Sequence, residues 1–237
     1  MTRVHPSAVI GPGVQLAPGV IVGPHAVLLG PCEVREGAWI GAGAIVGAPP
    51  GDVAAPHRSW DEPQGGGVVV GERARVREHA QIESGQAAST IVGPDAFVMP
   101  HAHLSHDCVL GTHVVIASGA VLGGTVRVGD HVFVGLNTSV HQRVVIGAHA
   151  VVGLQSAVVD DIPPFARAAG SPARILGVNH VGMRRRGLDR LAPAAEEILL
   201  RGGAPGDASV ADELADRFSE FAAWRRGSDR RTAKVAR

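Results

Sequence analysis

An aliphatic residue returns at every sixth position along most of this chain. Ile10, Leu16, Val22, Leu28, Val34, Ile40 and Val46 keep the beat, Val70, Val76 and Ile82 resume it, and every sixth residue from Val92 to Val158 carries it on. The fifth place of each hexad is mostly small or aliphatic, as at Ala26, Cys32, Ala44, Ala80, Ala102, Cys108 and Ala120. A period of six fits neither the 3.6-residue helix nor a two-residue alternation. A short fixed period marks a solenoid. It predicts a mainly β, triangular prism, in which each hexad forms one flat side, its aliphatic residue points inward and a tight turn follows. Three hexads close an eighteen-residue coil. Each coil covers only its neighbours, so stability should accumulate along the axis.

The beat breaks twice. Residues 48–69 are a polar, Pro/Gly-rich excursion, of the kind that in a compact repeat carries function or moves. Residues 70–87 make one coil, a four-residue slip follows at 88–91, and residues 92–163 make four more coils. Ile162-Pro163-Pro164 should end the solenoid. The expected division is therefore a β-helix over 1–175, with an inserted loop at 48–69, and a C-terminal α-helical region over 176–237. Apolar spacing predicts helices over 189–201 and 208–226, joined by a Gly/Pro turn at 202–206, with Asp207 as an N-cap. The basic tail from Gly227 should be frayed.

Composition agrees with thin aliphatic coils. Aromatic residues are 3% of the chain, Tyr is absent, and the 32 Gly suit corners with unusual dihedrals. The formal net charge is zero, so nothing global points to nucleic acid. Cys32 and Cys108 fall in inward slots several coils apart, which predicts buried free thiols and no disulfide. No stretch is long and apolar enough to span a bilayer, and residues 1–7 lack a charged region followed by an apolar run. A soluble cytoplasmic protein, not an integral membrane protein, is expected.

The coil length places the chemistry. His79 and His101 are both fourth in their hexads and should stack about 4.8 Å apart, the strand spacing. His106, Gly124 and His141 should form a second column, flanked by Thr125. His25, His113, His131 and His149 occupy outward places and are expected to be solvated. The densest chemistry is the run His101-Ala102-His103-Leu104-Ser105-His106-Asp107-Cys108.

That run, with Met99-Pro100 before it and Gly111 after it, resembles the active-site segment of UDP-N-acetylglucosamine O-acyltransferases, which open lipid A synthesis. The likeness continues through Thr138-Ser139-Val140-His141-Gln142, Val145-Ile146-Gly147-Ala148-His149 and Ile162-Pro163-Pro164-Phe165. It ends with Gly177-Val178-Asn179 and Arg184-Arg185-Arg186-Gly187, so that it spans about residues 4–201. The resemblance implies a left-handed parallel β-helix and a homotrimer with clefts between subunits. It implies transfer of a fatty acyl group from acyl carrier protein to the 3-hydroxyl of a nucleotide sugar, with no cofactor. His106 becomes the general base, Asp107 its support, and Gly124 N–H the oxyanion donor. Asp52, His103, His141 and Gln142 match substrate contacts, and Asn179, Arg185 and Arg186 match a nucleotide- and donor-contacting region. The base assignment is chemically sound in itself, because a sugar hydroxyl is a poor nucleophile and imidazole changes charge near neutral pH.

Simpler roles stand beside these. Asp107 suits a turn, Gly124 any corner, Asp52 the shaping of a loop, and Arg184–Arg186 a solvated charge run. The chain also departs from the family. Thr125 replaces a His beside the oxyanion Gly, Gly51 and Ala54 replace a Gln and a Lys around Asp52, and Arg143 replaces an aromatic residue. These losses fall on substrate-contacting places, so acyl transfer is expected with the acceptor open between UDP-N-acetylglucosamine, another nucleotide sugar and an amino sugar, and the donor open between carrier protein and CoA. Two rivals remain. His79, His101 and His106 have the spacing of a γ-class carbonic-anhydrase zinc site, in which ligands come from two subunits. A non-catalytic trimeric scaffold would also tolerate the lost contacts.

Overall fold

The computed structural model describes residues 1–53, 59, 61–63, 65–201, 212–226 and 230–236. Ala54, the predicted turn at 202–206 and the Asp207 cap lie outside the described residues.

The hexads fold as a left-handed parallel β-helix with three flat faces. The first face runs from Arg3–Val4 through Ile21–Val22, Trp39–Ile40 and their successors to Val151–Val152. The second runs from Val9–Ile10 to Ala157–Val158, and the third from Val14–Leu16 to Val145–Ile146. Register is set by the repeat: His103 pairs with Val121 and Leu104 with Leu122, eighteen residues on. Across the second excursion Gln81 pairs with His103 and Ile82 with Leu104, so the beat resumes in phase after the slip.

The predicted inward positions form one continuous core. Leu28, Ile40, Ile82, Leu104, Ile116, Leu122 and Ile146 are fully buried, as are the small fifth-place residues Ala26, Ala44, Ala80 and Ala120. Val4 and Ile10 are exposed because the first coil has no neighbour below it. Cys32 and Cys108 are buried free thiols, and burial pushes both up to about 12. They are therefore neutral and unreactive near pH 7.

The fourth place of each hexad turns the corner in the left-handed backbone region. His25, His79, His101, Asp107, His113, His131 and His149 all have φ between 56° and 61°. His and Asp tolerate that region better than most side chains do. The corner geometry thus accounts for much of the histidine content.

Not all of these histidines are solvated, contrary to expectation. His113 and His131 stack at 5.0 Å between ring centroids, His149 lies 5.0 Å from His131, and Phe165 lies 4.9 Å from His149. His149 is only 5% exposed. The ladder's His149 end is covered because Phe165 and Phe218 close it, their rings 6.3 Å apart, while His113 at the other end is exposed.

The solenoid also runs past Pro164. Ile146 pairs with Ile162, and Ala166–Gly170 adds in parallel to Val151–Val152. An antiparallel hairpin, Ala166–Gly170 with Ala173–Val178, then terminates the first face. Three helices follow: α1 (His180–Arg185), α2 (Ala192–Leu200) and α3 (Asp212–Trp224). The apolar spacing anticipated α2 and α3; α1 was not foreseen, because its six residues are too few to show a period. Asn179 caps α1 through its side chain, which accepts from Gly182 N–H at 3.0 Å. α3 buries Leu214, Phe218 and Phe221.

The described part of the tail is not frayed. Thr232 pairs with Asp161 and Val235 with Ile175, and Ala233 is buried. The tail is held by backbone bonds, Asp161 N–H to Arg231 O at 2.9 Å and Ala233 N–H to Asp161 O at 2.8 Å. It is also held by Arg225, which donates through Nη2 to Arg230 O at 2.8 Å and through Nε to the fully buried Asp161 carboxylate at 2.7 Å. No helix among the described residues is long and apolar enough to cross a membrane.

Candidate active site

Both breaks in the beat fall on the corner that follows the second face, beside His106. The first excursion leaves after Ile45–Ala48 and returns at Val68–Val70. The second occupies the stretch between Gln81–Glu83 and Thr90–Val92. Asp107 turns the same corner one coil later, at φ 59°.

The Asp107 carboxylate is held from both sides. Its Oδ1 accepts backbone N–H groups from Gln86, Ala87 and Ala88 at 3.1, 3.0 and 2.8 Å. Its Oδ2 lies 2.8 Å from His106 Nδ1. Burial raises its carboxyl, but the His106 contact and the three N–H donors outweigh burial and hold it below the usual carboxylate range. Asp107 is therefore ionised, and an ionised acceptor on Nδ1 places the neutral ring's proton there. That leaves the lone pair on Nε2.

Nε2 faces Gly124. A Cβ on residue 124 would lie 2.5 Å from it, so only a glycine lets the imidazole rest against this backbone. No acceptor among the described residues takes Gly124 N–H. The regular coil-to-coil ladder does not call on third-place N–H groups, which is why Pro12, Pro18, Pro24, Pro94 and Pro100 are accommodated there; at His106 and Thr112 the group goes to a carboxylate side chain instead. At Gly124 the unused donor belongs to the backbone against which the His106 imidazole rests. The Gly124 carbonyl is occupied by Arg143 N–H at 2.9 Å and by Thr125 Oγ1 at 2.7 Å.

A second carboxylate, Glu83, ties the site together. It is 5% exposed. Its Oε2 accepts His106 N–H at 3.0 Å and Gly51 N–H at 3.1 Å, and its Oε1 lies 3.3 Å from His103 Nε2. Burial raises its carboxyl, and the His103 contact with the two N–H donors brings it down below its ordinary value. Asp52 joins through Gln86, whose Nε2 donates to Asp52 Oδ2 at 2.7 Å. Four predicted residues, Asp52, His103, His106 and Asp107, thus belong to one hydrogen-bonded network.

His141 and Gln142 lie one coil beyond Gly124, with a shift from the expected column. Leu122 pairs with Val140, so Gln142 follows Gly124 and His141 follows Gly123. His141 is therefore not directly in line with His106. Asn179, Arg185 and Arg186 stand elsewhere, on the edge that follows the third face. Asn179 Nδ2 donates to His149 O at 2.8 Å. Arg185 ends α1 and Arg186 caps it, and partial burial lowers the Arg186 guanidinium from its ordinary value.

The three histidines of the zinc-type reading do not converge within the chain. His79 and His101 stack at 5.2 Å on the corner after the first face, whereas His106 is on the corner after the second. Among the described residues, no group of three His, Cys, Asp or Glu side chains is set to hold a metal ion.

Comparison with known proteins fixes the family. Residues 89–124 match the bacterial transferase hexapeptide family (six repeats), and residues 161–197 match the second domain of UDP-N-acetylglucosamine O-acyltransferase. The chain is 39% identical over 208 residues to the acyl-[acyl-carrier-protein]–UDP-N-acetylglucosamine O-acyltransferase of Paraburkholderia phytofirmans, covering 79% of this chain and 77% of that protein. The chain belongs to the UDP-N-acetylglucosamine O-acyltransferase family. The namesake enzyme of Thermodesulfovibrio yellowstonii is 38% identical over 208 residues, covering 79% of this chain and 78% of that one. Among solved structures, UDP-N-acetylglucosamine acyltransferase from Campylobacter jejuni matches with a TM-score of 0.75 at 28% identity, over 99% of this chain and 100% of that chain.

The structure adds site residues of this O-acyltransferase-family chain that the sequence did not single out. Glu83, the 86–88 backbone and Thr90, whose Oγ1 accepts Asp107 N–H at 2.9 Å, all hold the His106–Asp107 pair. One signal was available: both interruptions follow hexads of the same face. Of the family departures, Gly51 now meets Glu83 and Thr125 turns back onto Gly124.

Proposed function

We propose that this chain transfers an acyl group from an acyl carrier protein thioester to a hydroxyl of UDP-N-acetylglucosamine, with His106 as general base. The observation that carries this reading is the His106 ring, with Nδ1 2.8 Å from Asp107 and Nε2 against Gly124.

The chemistry follows from that placement. His106 Nε2 takes the proton of the sugar hydroxyl as its oxygen attacks the thioester carbonyl. A C–O bond forms and a tetrahedral oxyanion develops. Gly124 N–H, which needs no reorganisation, donates to it. Ionised Asp107 stabilises the imidazolium formed in this step. The intermediate collapses with cleavage of the C–S bond, and the imidazolium returns its proton to the departing thiolate. The products are the sugar ester and the carrier thiol. No metal or cofactor enters any of these steps.

Asp52, His103, His141 and Gln142 line the same edge and serve as acceptor contacts. Asn179, Arg185 and Arg186, on another edge, can serve the nucleotide or donor only if a second copy brings that edge against the first. A homotrimer meets this need. The reaction is assigned to the cytoplasm, where nucleotide sugars and carrier-protein thioesters are made.

The test is a mass-spectrometric assay of the purified protein with acyl carrier protein thioesters and UDP-N-acetylglucosamine. Acylated nucleotide sugar and free carrier thiol are expected. Absence of product across a series of acyl lengths would reject the acceptor, and absence across a panel of nucleotide sugars would reject the reaction. Light scattering on the same sample should give three times the chain mass.

A further inference from the structure

The C-terminal tail contributes a side chain to the edge that carries His141. Arg230 Nη1 donates to Val159 O at 2.6 Å, and Nη2 donates to Gln142 O at 2.6 Å. The same Nη2 lies 3.2 Å from His141 Nδ1, and Nδ1 lies 3.2 Å from Gln142 O. Two arrangements of protons compete in this triangle. With a proton on Nδ1, the ring donates to Gln142 O. With Nδ1 bare, the ring accepts from Arg230.

The guanidinium decides between them. It has five donors and no acceptor, and it is always charged. A proton on Nδ1 would face an N–H of Arg230 and would compete for a carbonyl that Arg230 already holds at the shorter distance. A bare Nδ1 meets a charge-assisted donor instead. We infer that Arg230 is a positioning residue that holds His141 as the neutral Nε2–H tautomer. The ring then presents a hydrogen-bond donor to an acceptor oxygen of the bound nucleotide sugar. This inference rests on His141 being an acceptor contact, as proposed above. Arg230 touches no reacting atom and acts only through that ring.

The experiment is 15N NMR of the intact protein labelled at histidine, with the His141 ring identified by loss of its signals in His141→Gln. The wild-type ring should carry its proton on Nε2. In Arg230→Ala the proton should move to Nδ1, now free to donate to Gln142 O. The KM for the nucleotide sugar should rise about tenfold, the usual effect of one lost hydrogen bond, while kcat changes much less. Arg230→Lys keeps the cation but cannot span both carbonyls, so it should also raise KM if the fork matters. It serves as a control against simple detachment of the tail. An Nδ1–H ring in the wild type, or one tautomer in all three proteins, would overturn the inference. So would a tautomer change with KM unmoved. If the wild type shows no acyl transfer at all, the proposed function fails on its own, because the ring signals still report the tautomer.

Discussion

A Cβ on residue 124 would sit 2.5 Å from His106 Nε2 and 2.6 Å from its Cε1. The imidazole therefore lies against the Gly124 backbone, on consecutive coils, in space that any side chain at 124 would fill. Gly124→Ala should push the imidazole out of line without disturbing the buried core. Acyl transfer should fall by roughly two decades, within the range for a misplaced base, with little change in melting temperature. Steady-state kinetics with a melting curve will check this; an active Gly124→Ala enzyme would mean the ring does not work from this position.

Asp107 fixes which nitrogen of His106 carries the proton. In Asp107→Asn the amide suits the same left-handed corner, but the charge is lost and an NH2 can face Nδ1 or the three backbone donors. Turnover should drop by about two to three decades. Because the carboxyl is held below its ordinary range, its stabilising charge is present above the unfolded value, about 3.9. It is lost only as pH falls through the lower folded value. The acidic limb of the rate profile should therefore not arise from Asp107. A limb that disappears in Asp107→Asn would contradict this.

The sequence revealed the prism because the aliphatic beat depends only on local spacing, and each coil reads its neighbour through a fixed offset. His106 beside Gly124 follows from that offset alone, and His79 over His101 follows once the four-residue slip is removed. Glu83 was hidden because a buried carboxylate breaks the inward pattern and depends on partners from two separate segments, Gly51 and the run from His103 to His106. His149 was misjudged as solvated because its cover, Phe165 and Phe218, comes from beyond the repeat, whereas His113 is exposed as expected. Arg230 was out of reach for the same reason: nothing in a tail's composition says which coil it will meet.

Arg225, half-buried, pairs with Asp161, which is fully enclosed. Burial raises the Asp161 carboxyl, opposed by Val145 N–H and Arg225. Arg225→Ala should leave that carboxyl without its cation and cost about 3–5 kcal/mol. Residues 230–236 should then become protease-sensitive. Denaturant titration and limited proteolysis will measure both effects, and a loss below about 1 kcal/mol would show that the pair does not anchor the tail.

His149 is held neutral. Burial pushes it down to about 3, with His131, Arg217 and Arg186 adding to the effect. Above about pH 6.5 the ring is neutral whether folded or unfolded. Below that the unfolded chain gains a proton that the folded ring refuses, so stability falls as pH drops towards 3. His149→Phe should remove this liability, since Phe165 already occupies the same stack at φ 61°. The acid-unfolding midpoint, followed by circular dichroism, should move to lower pH. An unchanged midpoint would assign the acid sensitivity to other groups.

The central claim is that His106 Nε2 removes the acceptor's proton. Single-turnover acyl transfer by His106→Ala, measured on protein whose mass and melting curve match the wild type, tests it most directly. The rate should fall by about two to four decades. A variant that transfers the acyl group at near wild-type speed would contradict the mechanism.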